Sequence, residues 1–422
     1  MMRLRKLTAA AVAVVAVSAF VQTPAQAALP DPPTDVRLDW QGNLVHVTWK
    51  DQGEGNRLYI EYADLGTSES FSITRPSADN EIVKTGAVRR SSKARLAVSN
   101  YSDAGSSLPA YSEWFDTQVP SEPWLQEVVQ QPDRSVKLTY TVQPVEDTTP
   151  NDPLDQPDSL IALTDGPDAD DEQEHQLGIG SPWGVVPPLD GPVTIGLIAS
   201  SGWGSAYGPR DARVGTVHAG FTVPAQQVYA NRLAIKGTLK QFMGDGAQRA
   251  TGIPVELQAR ASSTAPWKTY GRYTGNTTTA FDTGIAALGN RQYRLWVPAQ
   301  KSATETAITV IPATSTSAKS SVTLAKFTTA GFTPSTARAG ATVKLSVKIQ
   351  PASTVQGVLQ RWDGKKWING TKIQLKNGTA LIPIKASGRA ATSRYRVALG
   401  PIVFNGLHLN ATQSPTFTLT VR

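Results

Sequence analysis

The chain has 422 residues, with 41 Lys and Arg, 34 Asp and Glu, and no cysteine. At roughly 150 residues per domain, this length predicts about three domains. The absence of cysteine excludes disulfides, Cys-ligated zinc, iron–sulfur clusters and thiol catalysis. A composition of 40% apolar and 18% charged residues excludes disordered, collagen-like and membrane-embedded chains. We therefore expect a soluble multidomain protein.

The first 27 residues have the pattern of a secretory signal peptide. Arg3, Arg5 and Lys6 precede an apolar run over residues 7–21, and Ala-Gln-Ala at 25–27 is an A-x-A cleavage site. The run is too short to span a bilayer stably, although an uncleaved anchor is the alternative. No cysteine follows the cleavage site and no hydrophobic tail follows the last strand. We therefore expect a secreted, extracellular protein.

The remaining sequence is dominated by short segments in which apolar and polar residues alternate. This period of two, with Val, Ile, Thr and aromatics between Gly, Pro, Asn and Asp, predicts half-buried antiparallel strands. The clearest examples are residues 44–49, 58–62, 136–142, 255–259 and 343–349. The fold class is therefore predicted to be all-β.

Three proline-containing joints divide these strands into four blocks. The joints are residues 119–123, 223–226 and 311–318, where proline interrupts strand pairing. Blocks of about 100 residues are typical of immunoglobulin-like sandwiches. We predict four tandem sandwiches after the signal peptide at 1–27, with bounds 32–120, 121–224, 226–312 and 319–422.

The last two blocks are internal repeats of each other. A Leu-Gln pair, a tryptophan and a Tyr-Arg pair recur with spacings of about 100 residues, at 257–258, 267 and 293–294 and again at 359–360, 367 and 395–396. The repetition predicts that one sandwich has been duplicated.

These patterns resemble known families of extracellular modules. Pro32-Pro-Thr-Asp-Val, the strand ending at Trp49, the Tyr-Ile-Glu-Tyr strand at 59–62 and the run over 98–113 resemble a fibronectin type III domain. The repeats over 226–422 resemble immunoglobulin-like repeats of secreted actinobacterial proteins. Because such families are mostly binding or spacing modules, the resemblance implies a non-catalytic role, although a shared fold does not establish a function.

Charge is distributed unevenly along the chain. Residues 28–209 contain 11 Lys and Arg and 28 Asp and Glu, a net charge of −17, whereas residues 210–422 contain 27 and 6, a net charge of +21. A basic half attracts polyanions such as a wall glycopolymer or nucleic acid. The alternative is a solubilising surface whose two halves attract each other.

The acidic half contains one dense segment, residues 146–174, with 11 carboxylates and no Lys or Arg. Its acidic loop is formed by Asp165, Asp168, Asp170, Asp171, Glu172 and Glu174. Carboxylates of this kind can bind calcium, but the segment lacks the EF-hand order of ligands. We instead expect a solvated insertion in the second sandwich, without a metal, that could meet a basic partner.

Catalytic motifs are not evident in the sequence. The chain has four histidines but no His-Glu-x-x-His motif, no Gly-x-Ser-x-Gly elbow and no glycine-rich phosphate loop. A pair of carboxylates for glycoside hydrolysis could come from anywhere in a fold, but small sandwiches offer little room for a large cleft. We expect no enzyme activity and no cofactor.

Ten tryptophans raise the question of binding surfaces, because an exposed indole can stack on a sugar or anchor a partner. Trp49, Trp267 and Trp367 are expected to fill cores. Trp203 follows Ser-Gly in a loop-like stretch and is the best surface candidate. The residues Trp362, Lys365 and Lys366 surround the turn Asp363-Gly364 and form a second candidate, although they could belong to an ordinary hairpin.

The sequence thus predicts a secreted, non-catalytic binding or adaptor protein. Its basic C-terminal half would engage an anionic cell-wall polymer or an acidic partner. The alternative is a structural subunit of a secreted protein assembly, in which the acidic loop docks onto a basic neighbour. Neither reading includes a specific nucleic-acid site.

Overall fold

A computed structural model describes residues 28–52, 55–76, 80–84, 88–166, 172–189, 191–244, 248–249, 252–275, 281–282 and 284–422. The predicted signal peptide lies outside these residues. The described chain is all-β, as the alternating pattern predicts. The described residues contain no helix that is long and apolar enough to cross a membrane. Contacts divide the chain into two compact units. Of the described residues, the first comprises those up to Pro120 together with Pro144–Asp158 and Ser200–Ser205, and the second comprises the others.

The first unit contains a sandwich of two sheets. Its strands are β1 Thr34–Gln41, β2 Leu44–Lys50, β3 Gly55–Tyr62, β4 Thr67–Thr74, β5 Glu81–Lys84, β6 Ala94–Ser102, β7 Gly105–Ser106 and β8 Ala110–Tyr111. One sheet has the order β1-β2-β5 and the other the order β4-β3-β6-β7, with β8 also pairing with β6. Three strands facing four in this order is the arrangement of a fibronectin type III-like sandwich. Trp49 lies in its core, as predicted.

The second sandwich is formed by β9 Trp124–Gln130, β10 Val136–Thr141, β11 Ser159–Asp165, β12 Gln173–Leu177, β13 Trp183–Val186, β14 Val193–Ser201, β15 Gly204–Tyr207 and β16 Asp211–Val214. Its sheets have the orders β13-β10-β9 and β12-β11-β14-β16. The acidic segment 146–174 is therefore not a single solvated insertion in its described part. Leu160 and Ala162 of β11 are fully buried because they alternate with outward-facing residues.

The third sandwich contains the first copy of the repeat. Its strands are β17 Thr216–Thr222, β18 Gln226–Val228, β19 Arg232–Leu233, β20 Lys236–Phe242, β21 Gln248–Arg249, β22 Ile253–Arg260, β23 Lys268–Gly275, β24 Phe281–Asp282, β25 Ile285–Ala286, β26 Arg291–Val297, β27 Gln300–Ala303, β28 Ala307–Ile311, β29 Thr314–Ser315 and β30 Lys319–Leu324. Its larger sheet has the order β18-β30-β26-β22-β23. The hairpin β27–β28 instead extends the sheet of the second sandwich, where β28 pairs in parallel with β16.

The fourth sandwich contains the second copy. Its strands are β31 Lys326–Thr333, β32 Thr336–Ala337, β33 Thr342–Gln350, β34 Val355–Trp362, β35 Trp367–Leu375, β36 Thr379–Lys385, β37 Ala391–Leu399, β38 Ile402–Phe404, β39 Leu407–Leu409, β40 Thr412–Gln413 and β41 Phe417–Val421. Its sheets have the orders β31-β33-β36 and β32-β41-β37-β34-β35. We call the second of these the repeat sheet; it has six strands, because β40 also pairs with β37.

The hairpin β38–β39 joins the third and fourth sandwiches within the second unit. The backbone N–H of Asn290 donates to the carbonyl of His408 at 2.7 Å, and the Asn290 amide donates to Oδ1 of Asn410 at 2.7 Å. The rings of Tyr229 and Phe404 meet edge to face at 6.1 Å. Because these contacts combine hydrogen bonds with apolar packing, the two repeats are held together by more than their linker.

Candidate binding surfaces

The first unit contains an acidic pocket of about 380 Å³. Its lining includes five carboxylates, from Asp116, Asp147, Asp152, Asp155 and Asp158, together with the indole of Trp203. Lys and Arg are absent from this lining. Sequence analysis grouped four of these acids within the segment 146–174 but did not connect Asp116 with them, because Asp116 is distant in the chain.

Two of the carboxylates are held inside the pocket wall. The backbone N–H of Leu154 and the hydroxyl of Thr149 donate to Asp152 at 2.7 and 2.8 Å. Asp116 accepts from the N–H of Gln118 at 3.2 Å. Burial raises the pKa of Asp116 and of Asp152 above the ordinary value for aspartate.

Trp203 is packed rather than freely exposed. Its ring stacks on Phe115 with centroids 5.5 Å apart, and it contacts Trp40 at 5.0 Å. The Trp40 indole N–H donates to the carbonyl of Leu154 at 2.8 Å. Trp203 therefore contributes to the core of the first unit while its remaining surface lines the acidic pocket.

The acidic loop predicted over residues 165–174 is described only in part. Asp165 ends strand β11 and Glu174 lies on β12, and both are exposed, as is Glu172. Asp168, Asp170 and Asp171 lie outside the described residues, so the choice between calcium and a docking role stays a prediction. Among the residues that the structure describes, no group of three or more His, Asp or Glu side chains could hold a metal ion.

The second predicted surface lies on the hairpin β34–β35 of the fourth sandwich. Trp362 pairs with Trp367 across the strands, and the two rings contact each other at 5.3 Å with an angle of 58°. Asp363 accepts hydrogen bonds of 2.7 Å from the backbone N–H groups of Lys365 and Lys366. The turn is therefore closed by its own carboxylate, and both lysine side chains are exposed.

The expectation that Trp267 and Trp367 fill cores is wrong. Both side chains are half-buried and lie under guanidinium groups on the outer faces of their sheets. The guanidinium carbon of Arg396 is 4.4 Å from the Trp367 ring centroid, and Arg260 and Arg294 lie 4.4 and 4.5 Å from that of Trp267. The repeated tryptophan therefore takes part in a cation–π contact on the surface and does not occupy a core position.

Glutamine completes the repeated cluster. In the fourth sandwich, Nε of Arg396 donates to Oε1 of Gln360 at 2.6 Å, and Nε2 of Gln360 donates to Oδ1 of Asn369 at 2.8 Å. The third sandwich has the same contact between Arg294 and Gln258, at 2.9 Å. The Leu-Gln, Trp and Tyr-Arg spacing is thus explained by a Gln–Arg–Trp cluster on adjacent strands.

A groove of about 540 Å³ continues from this cluster along the outer face of the repeat sheet. Gln356, Gln360, Asn369, Lys372 and Gln374 contribute to its lining. Sequence analysis named Gln360 only as part of the repeat and missed the other four residues. Listing every second residue of the strand that ends at Trp362 would have found Gln356 and Gln360. The residues opposite them on β35 can be identified only when the strand register is known.

Comparisons with known proteins give only distant similarities. No family model matches the chain, and no curated protein matches it either. Among solved structures, a tetra-tandem repeat from the extending region of a large adhesion protein has 16% identity and a TM-score of 0.25, covering 92% of this chain and 99% of that one.

Two further structures contain fibronectin type III domains. The FN1–FN3 domains of chicken CNTN1 have 10% identity and a TM-score of 0.22, covering 69% of this chain and 98% of that one. A two-domain fibronectin type III segment of chicken tenascin has 12% identity and a TM-score of 0.21, with 41% and 94% covered. Because these scores are low, we base the fold class on the strand pairing of this chain alone.

Proposed function

We propose that this chain is a secreted, non-catalytic binding protein whose basic half attaches it to an anionic cell-wall polymer. The fourth sandwich carries the proposal. Residues 326–422 contain 14 Lys and Arg but only one acid, Asp363, and the carboxylate of Asp363 is occupied by backbone N–H groups of its own turn.

The positive charges of this sandwich are available to a ligand. Within the part of the chain that the structure describes, none of the 14 basic side chains forms an ion pair. Lys365, Lys366 and Lys372 are exposed on one hairpin. Clustered charge of one sign attracts a polyanion, and binding releases the counterions of that polymer.

Binding of the full mature chain to purified poly(glycerol phosphate) wall polymer tests this proposal. Replacing Lys365, Lys366 and Lys372 with Glu should weaken binding and make its salt dependence shallower, because fewer counterions are released. A control with the same change in net charge replaces Lys236, Lys240 and Lys268 of the third sandwich. Equal loss in both variants, or binding that does not change with salt, would contradict a role for the fourth sandwich.

A structural subunit of a secreted assembly is the second candidate, favoured by the acidic pocket of the first unit. Five carboxylates without a lining base would accept a cationic side chain of a neighbour. Light scattering of the mature chain at low and high salt tests this candidate, since an electrostatic assembly dissociates as salt is added. A monomer at all salt concentrations and no stoichiometric partner in culture supernatant would refute it.

A further inference from the structure

The outer face of hairpin β34–β35 presents a strip of paired side chains. Strand register places Gln356 opposite Gln374, Val358 opposite Lys372, Gln360 opposite Asn369 and Trp362 opposite Trp367. The intervening residues Gly357 and Leu359 are buried. At about 3.3 Å per residue, the four pairs extend over about 20 Å.

The strip has unused hydrogen-bonding capacity. Gln356, Lys372 and Gln374 are exposed, and among the described residues their side chains have no hydrogen-bond partner. A carboxamide offers two N–H donors and a carbonyl acceptor, which suits vicinal hydroxyl groups. Asn369 accepts from Gln360 through Oδ1 and keeps its own N–H groups for a ligand.

The third sandwich has the same Gln–Arg–Trp cluster, but its side chains on the corresponding face bond to one another. There Glu256 takes the place of Val358, accepting from Arg272 at 3.0 Å and from Thr269 at 2.7 Å. Arg260 takes the place of Trp362 and lies over Trp267. The third sandwich therefore neutralises its own face, whereas the fourth sandwich presents Trp362 and the unbonded carboxamides of Gln356 and Gln374.

We propose that this strip binds the sugar backbone of an anionic polysaccharide. The inference rests on the proposed polyanion function and names the class of polymer. Indole rings offer apolar faces for the C–H surfaces of sugar rings, the carboxamides bind hydroxyl groups, and Lys372 with Lys365 and Lys366 bind the acidic groups.

The position of the groove argues against a peptide that adds a strand. Strand β34 pairs with β35 and β37 on its two sides, so its backbone groups are already used. A peptide would pair with the free edge of β35 instead of the face. A ligand on the face is recognised by side chains, and four carboxamides beside Lys372 favour a hydroxyl-rich chain that also contains acidic groups.

Trp362→Arg in the full mature chain separates sugar recognition from charge. The substitution introduces the residue that the third sandwich has at this position, and it raises the net charge by one. If charge alone controls binding, affinity for any polyanion rises or stays constant. If the strip binds sugar, affinity for hyaluronan falls about tenfold while affinity for inorganic polyphosphate does not fall.

The reciprocal change Arg260→Trp and the double change Gln356→Ala with Gln374→Ala complete the test. The double change should weaken hyaluronan binding about fivefold without weakening polyphosphate binding, and Arg260→Trp should not weaken either. Circular dichroism confirms that each variant is folded, and the polyphosphate arm shows that the basic surface is intact.

These outcomes distinguish failure of sugar binding by the strip from failure of the proposed polyanion function. No binding of either polymer by the native chain would overturn both. Native binding of both polymers with no loss of hyaluronan affinity in Trp362→Arg would overturn only the sugar strip. Loss of single-stranded DNA binding instead of hyaluronan binding in that variant would show that the indoles stack on bases.

Discussion

The guanidinium carbon of Arg396 lies 4.4 Å from the centroid of the Trp367 ring, and its Nε atom donates a 2.6 Å hydrogen bond to Gln360. Arg294 and Trp267 repeat this relationship at 4.5 Å in the third sandwich. The contact crosses from the strand that contains the arginine to the edge strand of the same sheet. It therefore fixes the position of the edge strand that forms one side of the proposed strip.

Arg396→Lys should lower the free energy of opening of the fourth sandwich by about 1 kcal/mol. A lysine keeps the charge but loses the planar group that stacks on the indole and bonds to Gln360. Hydrogen exchange of the β34 and β37 amides measures this opening. Arg394→Lys, on the exposed part of the same strand, is the control, and an equal effect of both changes would contradict the prediction.

Trp203→Ala should loosen the segments 144–158 and 200–205 of the first unit. The substitution removes the stack on Phe115 and the contact with Trp40, at a cost of about 2 kcal/mol for a half-buried aromatic. Faster hydrogen exchange over residues 152–158 is the expected result. Trp183→Ala provides the control because 49% of Trp183 is exposed; unchanged exchange in Trp203→Ala would refute the packing role.

His46 should make the first unit less stable as the pH rises. Burial of the ring acts to lower its pKa, but hydrogen bonds to Glu81 at 3.1 Å and Asp39 at 2.7 Å outweigh burial and raise the pKa above 6.5. A raised folded-state pKa gives stability that is complete below the unfolded value and disappears as pH rises through the folded value. The melting temperature should therefore decrease from pH 6 to pH 8.

His46→Gln is the variant that isolates this contribution. Glutamine can hydrogen-bond to one of the acids but does not titrate, so the decrease between pH 6 and pH 8 should flatten. Calorimetry of the mature chain measures the transition. A slope identical to that of the native protein would show that another group is responsible.

The alternation of residues was enough to predict the strands but not their partners. Segments 136–142, 255–259 and 343–349 are strands as predicted, because period two reflects burial of one face of each strand. The place of the hairpin β27–β28 beside β16, in contrast, depends on a parallel pairing with residues about 95 positions earlier. Local pattern contains no information about such a contact.

The binding surfaces, like the strands, could be predicted from sequence only in part. Trp362, Lys365 and Lys366 could be chosen because they flank a recognisable turn, and the structure places them on one hairpin. The carboxamides opposite one another on that hairpin could not, since Gln356 and Gln374 meet only if the register is known. The acids of the first-unit pocket are brought together only by the fold. The backbone N–H of Asp116 donates to Oδ2 of Asp152 at 3.4 Å.

Acidification from neutral pH towards 3.8 should stabilise the first unit through Asp116 and Asp152. Burial raises both pKa values above 3.8, and the negative charge of Asp155 acts in the same direction. A carboxyl whose folded pKa is raised takes up its proton more readily when folded, so stability increases as pH falls through the folded value and the gain is complete near 3.8. Calorimetry of His46→Gln, in which the histidine no longer contributes, should show this gain as the pH falls from 7 towards 4. Adding Asp116→Asn should reduce the gain, because one buried carboxylate no longer titrates. An identical pH dependence with and without Asp116→Asn would contradict the contribution of Asp116.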